Sequence, residues 1–523
     1  MRKLFGALAL APALLAAIPI AFAQLPGQKL TLVEKDTVLG PRAENKDTRA
    51  LSISTDYNHI AILSQKGEKY IVTIDRAAGK EYEWVIPRSL SFSADGNRSA
   101  YIVQNPTNMF AVIDGQEGKP YHEIAASNII FAPVGARYAY YARPKPNGKW
   151  IVVIDGQESK EFDQVGNLAF SPDGKRVAYG VEQGGRQSFV IDSAVGGEKE
   201  YDKVAGNSFA WSPDGKRYAY GAVRDIKVLI VADGKESKAY VEASRPLFSP
   251  DSTHLLYAAI PDKDKALIVL DDKPQKEYKR IISETVRFSP DSKRLAYIAS
   301  KKNDAGNDTM FYVIDGQETP SYDKLKADGF IFSPDSKRTS FQCVKLDPSK
   351  KEKIIVVIDG LEGKECDDVK AAQFSPDSKH MAYIALRDRQ VSAVVDGAEG
   401  RAYEGIANPL YSTDGSQLAY VALKSTKKTC VVVNGIEARN DYDGIVHEIL
   451  SFSPDGKHIA YQALRESTIF FVVDEAETKP HGGSMRNSRI AWDSPTSFHA
   501  LILRGEKDKE KDVVRLQVDL TGG

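Results

Sequence analysis

Three cysteines in 523 residues are too few for a disulfide framework, and an odd count leaves one thiol without an internal partner. The charges also cancel: 70 Lys and Arg stand against 71 Asp and Glu. That balance gives no sign of the basic excess that a nucleic-acid binder carries. Past the first two dozen residues no apolar run is long enough to span a membrane as a helix, which takes about 20 residues. There is no Gly-x-Ser-x-Gly nucleophile elbow, no P-loop, no His-Glu-x-x-His and no Cys-x-x-Cys. These absences leave no catalytic, cofactor-binding or metal-ligating residue to name. Pro and Gly recur too often for long helices, which points to strands and turns.

What is present is a repeat. Phe170-Ser171-Pro172-Asp173-Gly174-Lys175-Arg176 returns around Trp211, Phe288, Phe374 and Phe452, with degenerate copies between them. Anchors at the Phe170 position are Ile53, Phe92, Phe131, Phe170, Trp211, Phe248, Phe288, Phe332, Phe374, Tyr411, Phe452 and Trp492, spaced 37 to 44 residues apart. A period near forty marks a propeller or solenoid. Within a copy, a short strand a ends at the anchor, and Ser-Pro-Asp-Gly makes a turn. Arg176 to Val181 reads as strand b and Ser188 to Asp192 as strand c. Asp-Gly or Asn-Gly pairs such as Asp155-Gly156 and Asn434-Gly435 then give a tight hairpin. Lys199 to Asp202 reads as the start of strand d. Where Ser292 and Ser378 replace the turn glycine, the position is expected either to leave the left-handed region or to carry a small cost.

The fold class is therefore all-β, with about twelve four-stranded propeller repeats. Rings usually have 4–8 blades, so two six-bladed rings are the first expectation, with seven plus five or one ring of twelve as alternatives. The expected organisation is 1–23 signal peptide, 24–50 a segment supplying a closing strand, 51–280 repeats one to six and 281–523 repeats seven to twelve. The last copy runs out before a d strand, and Lys29 to Val33 is expected to supply it.

The first residues read as a leader. Arg2 and Lys3 precede an apolar stretch from Leu4 to Ile20, and Ala21-Phe22-Ala23 suits cleavage between Ala23 and Gln24. No Cys follows for lipid attachment. A periplasmic or secreted chain, soluble after export, is expected.

The phrase from Phe170 to Tyr179 resembles the WD-like repeat of TolB-type propellers and is similar to the propeller of prolyl-oligopeptidase and dipeptidyl-peptidase proteins. The resemblance spans roughly residues 50 to 505. It implies the fold more than the function. TolB-type proteins are periplasmic and bind partners in the cell envelope, but they carry an N-terminal domain for which this sequence has no counterpart before its first repeat.

The histidines divide into a repeated set and a remainder. His59, His254, His380 and His458 share the slot held elsewhere by Arg176, Arg217, Arg294 and Arg338, a solvent-facing position repeated around the structure. His122, His447, His481 and His499 remain. The acids Asp163, Asp202, Asp323, Asp367 and Asp443 recur after the aromatic residue at the presumed strand d. They read as turn caps or partners of repeated Lys and Arg rather than as a carboxylate ring for cations. Cys366 stands in the aromatic slot and reads as a small buried hydrophobe. The polar connections Ser300–Thr309 and Val344–Lys353, with Trp84 and Trp150, are the candidates for a partner surface.

The sequence thus points to an exported, non-catalytic propeller that binds a protein or an envelope component, with no nucleic acid among its partners. The alternative is a propeller enzyme, a polysaccharide lyase or hydrolase, with a site in the central channel.

Overall fold

The computed structural model describes residues 30–41, 48–125, 129–192, 199–466, 468–481, 483, 488–504 and 512–522, with the side chains of 408, 447 and 448 excepted. The leader and the Ala23–Gln24 bond lie outside them.

Among the described residues twelve small antiparallel sheets follow one another along the chain. Each is a blade with strands in the order a-b-c-d, of which blade 4 shows a, b and c among the described residues, and the blades are numbered here by their anchors, from Ile53 in blade 1 to Trp492 in blade 12. The b strands are short apolar runs such as Val177–Gln183 and Met381–Arg387, buried on both faces. A blade cannot cover two apolar faces by itself, so neighbours must stack.

They stack without interruption. Leu256, Ile268 and Tyr278 of blade 6 pack with Tyr297, Phe311 and Val313 of blade 7. Equivalent clusters join every other consecutive pair, and Leu39, Ile60 and Ile62 pack with Leu501, Leu503 and Val513 to join blade 12 to blade 1. The repeats therefore form one closed ring of twelve blades, not a pair of six-bladed rings. A cut near residue 280 would open the apolar face between Tyr278 and Tyr297, whose rings meet at 6.2 Å.

Closure comes from the two ends of the described chain. Thr31–Pro41 pairs antiparallel with Asp512–Thr521 from Thr31↔Thr521 to Pro41↔Asp512, as the outermost strand of blade 12. Two further contacts fasten this seam. The His499 ring places Nε2 2.9 Å from the Asp56 carbonyl of blade 1. The Lys479 N–H of blade 11 donates to Glu34 Oε1 at 2.8 Å.

Strand a is the inner edge of each blade. Neighbouring a strands touch there: Trp211 Nε1–H donates to the Ala169 carbonyl at 3.3 Å and Arg287 to the Phe330 carbonyl at 2.6 Å. The d strands form the outer rim and are bridged by long side chains, as where the Tyr121 hydroxyl donates to Glu158 at 2.8 Å.

One expected element is placed differently. Strand d begins directly after the Asp-Gly turn, as at Gln157–Glu158. Tyr201 closes strand d by bridging Gln187, and Asp202 already opens the next blade, its N–H donating to the Val223 carbonyl at 3.1 Å. A two-residue hairpin returns the chain to pairing at once, so strand d has no room to start later.

Candidate functional site

The repeated phrase builds a turn that consumes its own polar groups. In blade 4 the Ser171 hydroxyl donates to Asp173 Oδ1 at 2.5 Å, and the same oxygen of Asp173 accepts the Lys175 N–H at 3.1 Å. Ser171 Oγ accepts the Arg176 N–H at 2.9 Å. Arg176 then reaches in two directions. Its Nε donates to Asp192 in the c–d turn at 2.7 Å, and its Nη1 to the Lys216 carbonyl in the next blade at 2.5 Å. Its guanidinium also lies 4.9 Å from the Trp211 ring of that blade, a cation–π contact. The slot is thus a staple between blades and not simply a solvent-facing position.

The four repeated histidines do the first half of that work. Each places Nδ1 near the c–d turn aspartate: His59 by Asp75 at 2.6 Å, His254 by Asp271 and His380 by Asp396 at 2.7 Å, and His458 by Asp474 at 2.5 Å. They are separated around the ring and do not converge. His481 and His499 lie buried at the seam, His122 is exposed, and the His447 side chain lies outside the described residues. Among the described residues no three His, Cys, Asp or Glu side chains gather as a metal site.

The repeated acids cap hairpins. Asp163 accepts the Gly184 N–H at 2.7 Å, Asp202 the Asp225 N–H at 2.9 Å and Asp323 the Leu346 N–H at 2.9 Å. Asp367 does the same for Asp388 at 3.0 Å and Asp443 for Glu466 at 2.8 Å. Most also hold a cation, as Asp163 does with Lys149 and Asp367 with Lys353. Hydrogen bonds from Lys353 and the Asp388 N–H hold the Asp367 carboxyl far below the usual range. The three thiols are buried and unpaired. Burial pushes Cys343 up to about 12 and Cys430 up to about 11.

The polar b–c connections are shorter than the sequence suggests, because pairing runs further out. Strands Leu295–Lys302 and Asp308–Ile314 leave only 303–307 as turn. Strands Thr339–Leu346 and Glu352–Ile358 leave 347–351. Both turns are internally bonded, Asn307 N–H to Asn303 and Lys351 N–H to Asp347, at 2.9 Å each. Trp84 packs edge-on against Tyr70 at 4.7 Å, and Arg143 covers Trp150 at 4.2 Å. None of these groups meets another to make one site.

The inner wall holds a feature that no motif announced, a cleft of about 390 Å³ between the a strands of blades 8 and 9. Lys326, Asp328 and Gly329 line one side, Lys370 and Ala371 the other, and Gln342 the floor. The sequence signal is Gly329 three places before its anchor, where blades 2, 5 and 7 have Ser89, Ser208 and Thr285. It is visible only once the role of that position in other blades is known.

No protein-family model matches the chain, and no curated protein matches it. Solved structures do. A eukaryotic initiation factor is 14% identical over 62% of this chain and 90% of its own, with a TM-score of 0.33. The β-propeller domain of the Trilobed protease from Pyrococcus furiosus is 13% identical over 52% of this chain and 94% of its own, with a TM-score of 0.24. TolB from Acinetobacter baumannii is 14% identical over 60% of this chain and 79% of its own, with a TM-score of 0.21. These likenesses are distant, and the twelve-bladed ring stands on its own sheet order and packing.

Proposed function

We propose that the chain is an exported, non-catalytic propeller that binds a protein or envelope component. The observation that carries this reading is the employment of the repeated polar groups. The turn aspartates, the slot histidines and the hairpin-capping acids, which are the groups an enzyme would draw on, are each engaged in holding a turn or a neighbouring blade. What is left exposed is a rigid ring whose hairpins differ from blade to blade, and such loops on a rigid scaffold suit recognition. The charged, apolar and small-x-small leader supports export. Among the described residues no helix is long and apolar enough to cross a membrane.

The test uses the tagged chain from Gln24 with crosslinked envelope extract, beside a variant in which turns 303–307 and 347–351 are each shortened to Asn-Gly. One protein recovered in stoichiometric amount by the first chain and lost by the second is the expected result. Recovery of no protein by either chain, or the same protein in equal amount by both, would overturn the reading.

A further inference from the structure

Among the described residues, five blades carry, on the inner strand or in the turn just before it, a hydroxyl that accepts a backbone N–H of strand b. Ser89 Oγ accepts the Ile102 N–H at 2.8 Å, Ser208 the Gly221 N–H at 2.7 Å and Ser244 the Ala258 N–H at 2.9 Å. Thr285 accepts the Ile298 N–H at 2.9 Å and Ser488 the Leu501 N–H at 3.0 Å. The turn that presents the hydroxyl also recurs, with the Ser89 N–H donating to Ile86 and the Ser208 N–H to Ala205.

Blade 8 keeps that turn and lacks the hydroxyl. The Gly329 N–H donates to the Lys326 carbonyl at 3.1 Å, in the same pattern. Arg287 fixes the segment from the neighbouring blade through the Ala327 and Phe330 carbonyls. The b-strand residue is now Gln342, whose carbonyl accepts the Lys326 N–H at 3.3 Å. The N–H of a strand residue points to the same side as its carbonyl, so the Gln342 N–H faces the cleft, where the other blades place an oxygen. A Cβ on Gly329 would stand 2.9 Å from Gln342 Cβ and 3.2 Å from its N, so glycine keeps this space open. Gln342 is only 9% exposed and forms the floor of the cleft.

Two cations stand beside these donors. Lys326 and Lys370 lie 3.7 and 3.8 Å from Asp368, long contacts that leave ammonium hydrogens available. Asp328 adds an acceptor to the lining. The cleft is thus lined by Gln342, Lys326 and Lys370, with the carboxylates of Asp328 in the lining and Asp368 between the two lysines. A volume of about 390 Å³ is at the small end of ligand pockets, which run from roughly 300 to 1,000 Å³.

We propose that this cleft binds a small polyhydroxy carboxylate. A carboxylate oxygen takes the place of the missing hydroxyl and accepts from the Gln342 N–H, its partner oxygen accepts from Gln342 Nε2 and the lysines, and Asp328 accepts from ligand hydroxyls. The ligand is either a free sugar acid or the terminal residue of an acidic glycan.

The test is calorimetric titration of the chain from Gln24 with D-galacturonate, with trigalacturonate as a second arm and glucose and acetate as controls. Galacturonate binding, with both controls at least tenfold weaker, is the expected result. Tighter binding of the trimer assigns the glycan end, and equal binding assigns the free acid. Gln342→Ile installs the residue that blade 7 has at this position and should keep the ring folded, and Lys370→Gln changes an exposed side chain. Each should weaken galacturonate at least tenfold with unchanged thermal midpoint. Absence of galacturonate binding, equal binding of acetate, or affinity untouched in both variants would overturn the proposal. The result is independent of whether a protein partner is found.

Discussion

Ser292 Oγ accepts the backbone N–H of Asp251 at 2.9 Å, joining the a–b turns of blades 7 and 6. Ser292 sits at φ +66°, so the serine that replaces the turn glycine takes the left-handed conformation after all. That conformation costs a non-glycine residue about 1–2 kcal/mol. The hydroxyl offsets the cost by satisfying an amide of the preceding blade, and Ser252, Ser336 and Ser378 repeat the arrangement at 3.0, 2.9 and 2.9 Å.

Ser292→Ala keeps the strained backbone and deletes the bond. It should destabilise the ring by about 1 kcal/mol, read as a lower urea midpoint. Ser292→Gly relieves the backbone while losing the same bond, so it should fall between Ala and wild type. An alanine variant as stable as wild type would remove the hydroxyl from the account.

Removing residues 31–41 should open the ring. Asp512–Thr521 then loses its partner, and an unpaired apolar edge is a template for association. Size-exclusion chromatography should show oligomers or aggregates where the full chain elutes as one species.

His481 and His458 should respond to pH in opposite directions. Burial lowers the folded pKa of His481, opposed by Glu34, the acid that faces it. Its contribution is therefore present above the unfolded value near 6.5 and falls away as pH drops below it. The hydrogen bond that His458 donates to the Asp474 carboxylate raises the folded pKa of His458, so its contribution is full below that unfolded value and is lost as pH rises through the folded one. His481→Tyr, the residue of most other blades, should flatten the loss of thermal midpoint between pH 7 and 5.5. His458→Arg should flatten the loss on the alkaline side. Identical pH profiles for both variants and wild type would contradict the assignment.

The three thiols should resist labelling. Cys343, Cys366 and Cys430 are buried, and burial raises all three, so little thiolate is available at pH 8. A thiol reagent should count none in the native chain and three after denaturation.

Tyr121→Phe deletes the hydroxyl that donates to Glu158 across the outer rim and should destabilise by about 1 kcal/mol. Lys119, which also reaches Glu158, stays in place. A midpoint unchanged from wild type would show the rim bridges to be without consequence.

The order of strands was written in the chain. Ser-Pro-Asp-Gly and Asp-Gly turns act through local φ preferences and short hydrogen bonds, so Ser171, Asp173 and Gly174 announce their turn wherever the chain goes. The burial of Val177, Tyr179 and Ile191 follows from the same periodicity. Three things lay beyond local reach. Whether twelve blades make one ring or two depends on the small rotation between neighbouring sheets and on whether Tyr278 meets Tyr297, and no linker residue encodes either. The role of Arg176 or Ser292 depends on the turn about forty residues further on or back. The cleft by Gly329 lies between two blades, with Lys326 and Gln342 from one and Lys370 from the next. Sequence by itself determined the blade, since a blade is built from contacts within one repeat. The closed ring, its seam and its inner wall were decided by tertiary structure, since they are built from contacts between repeats.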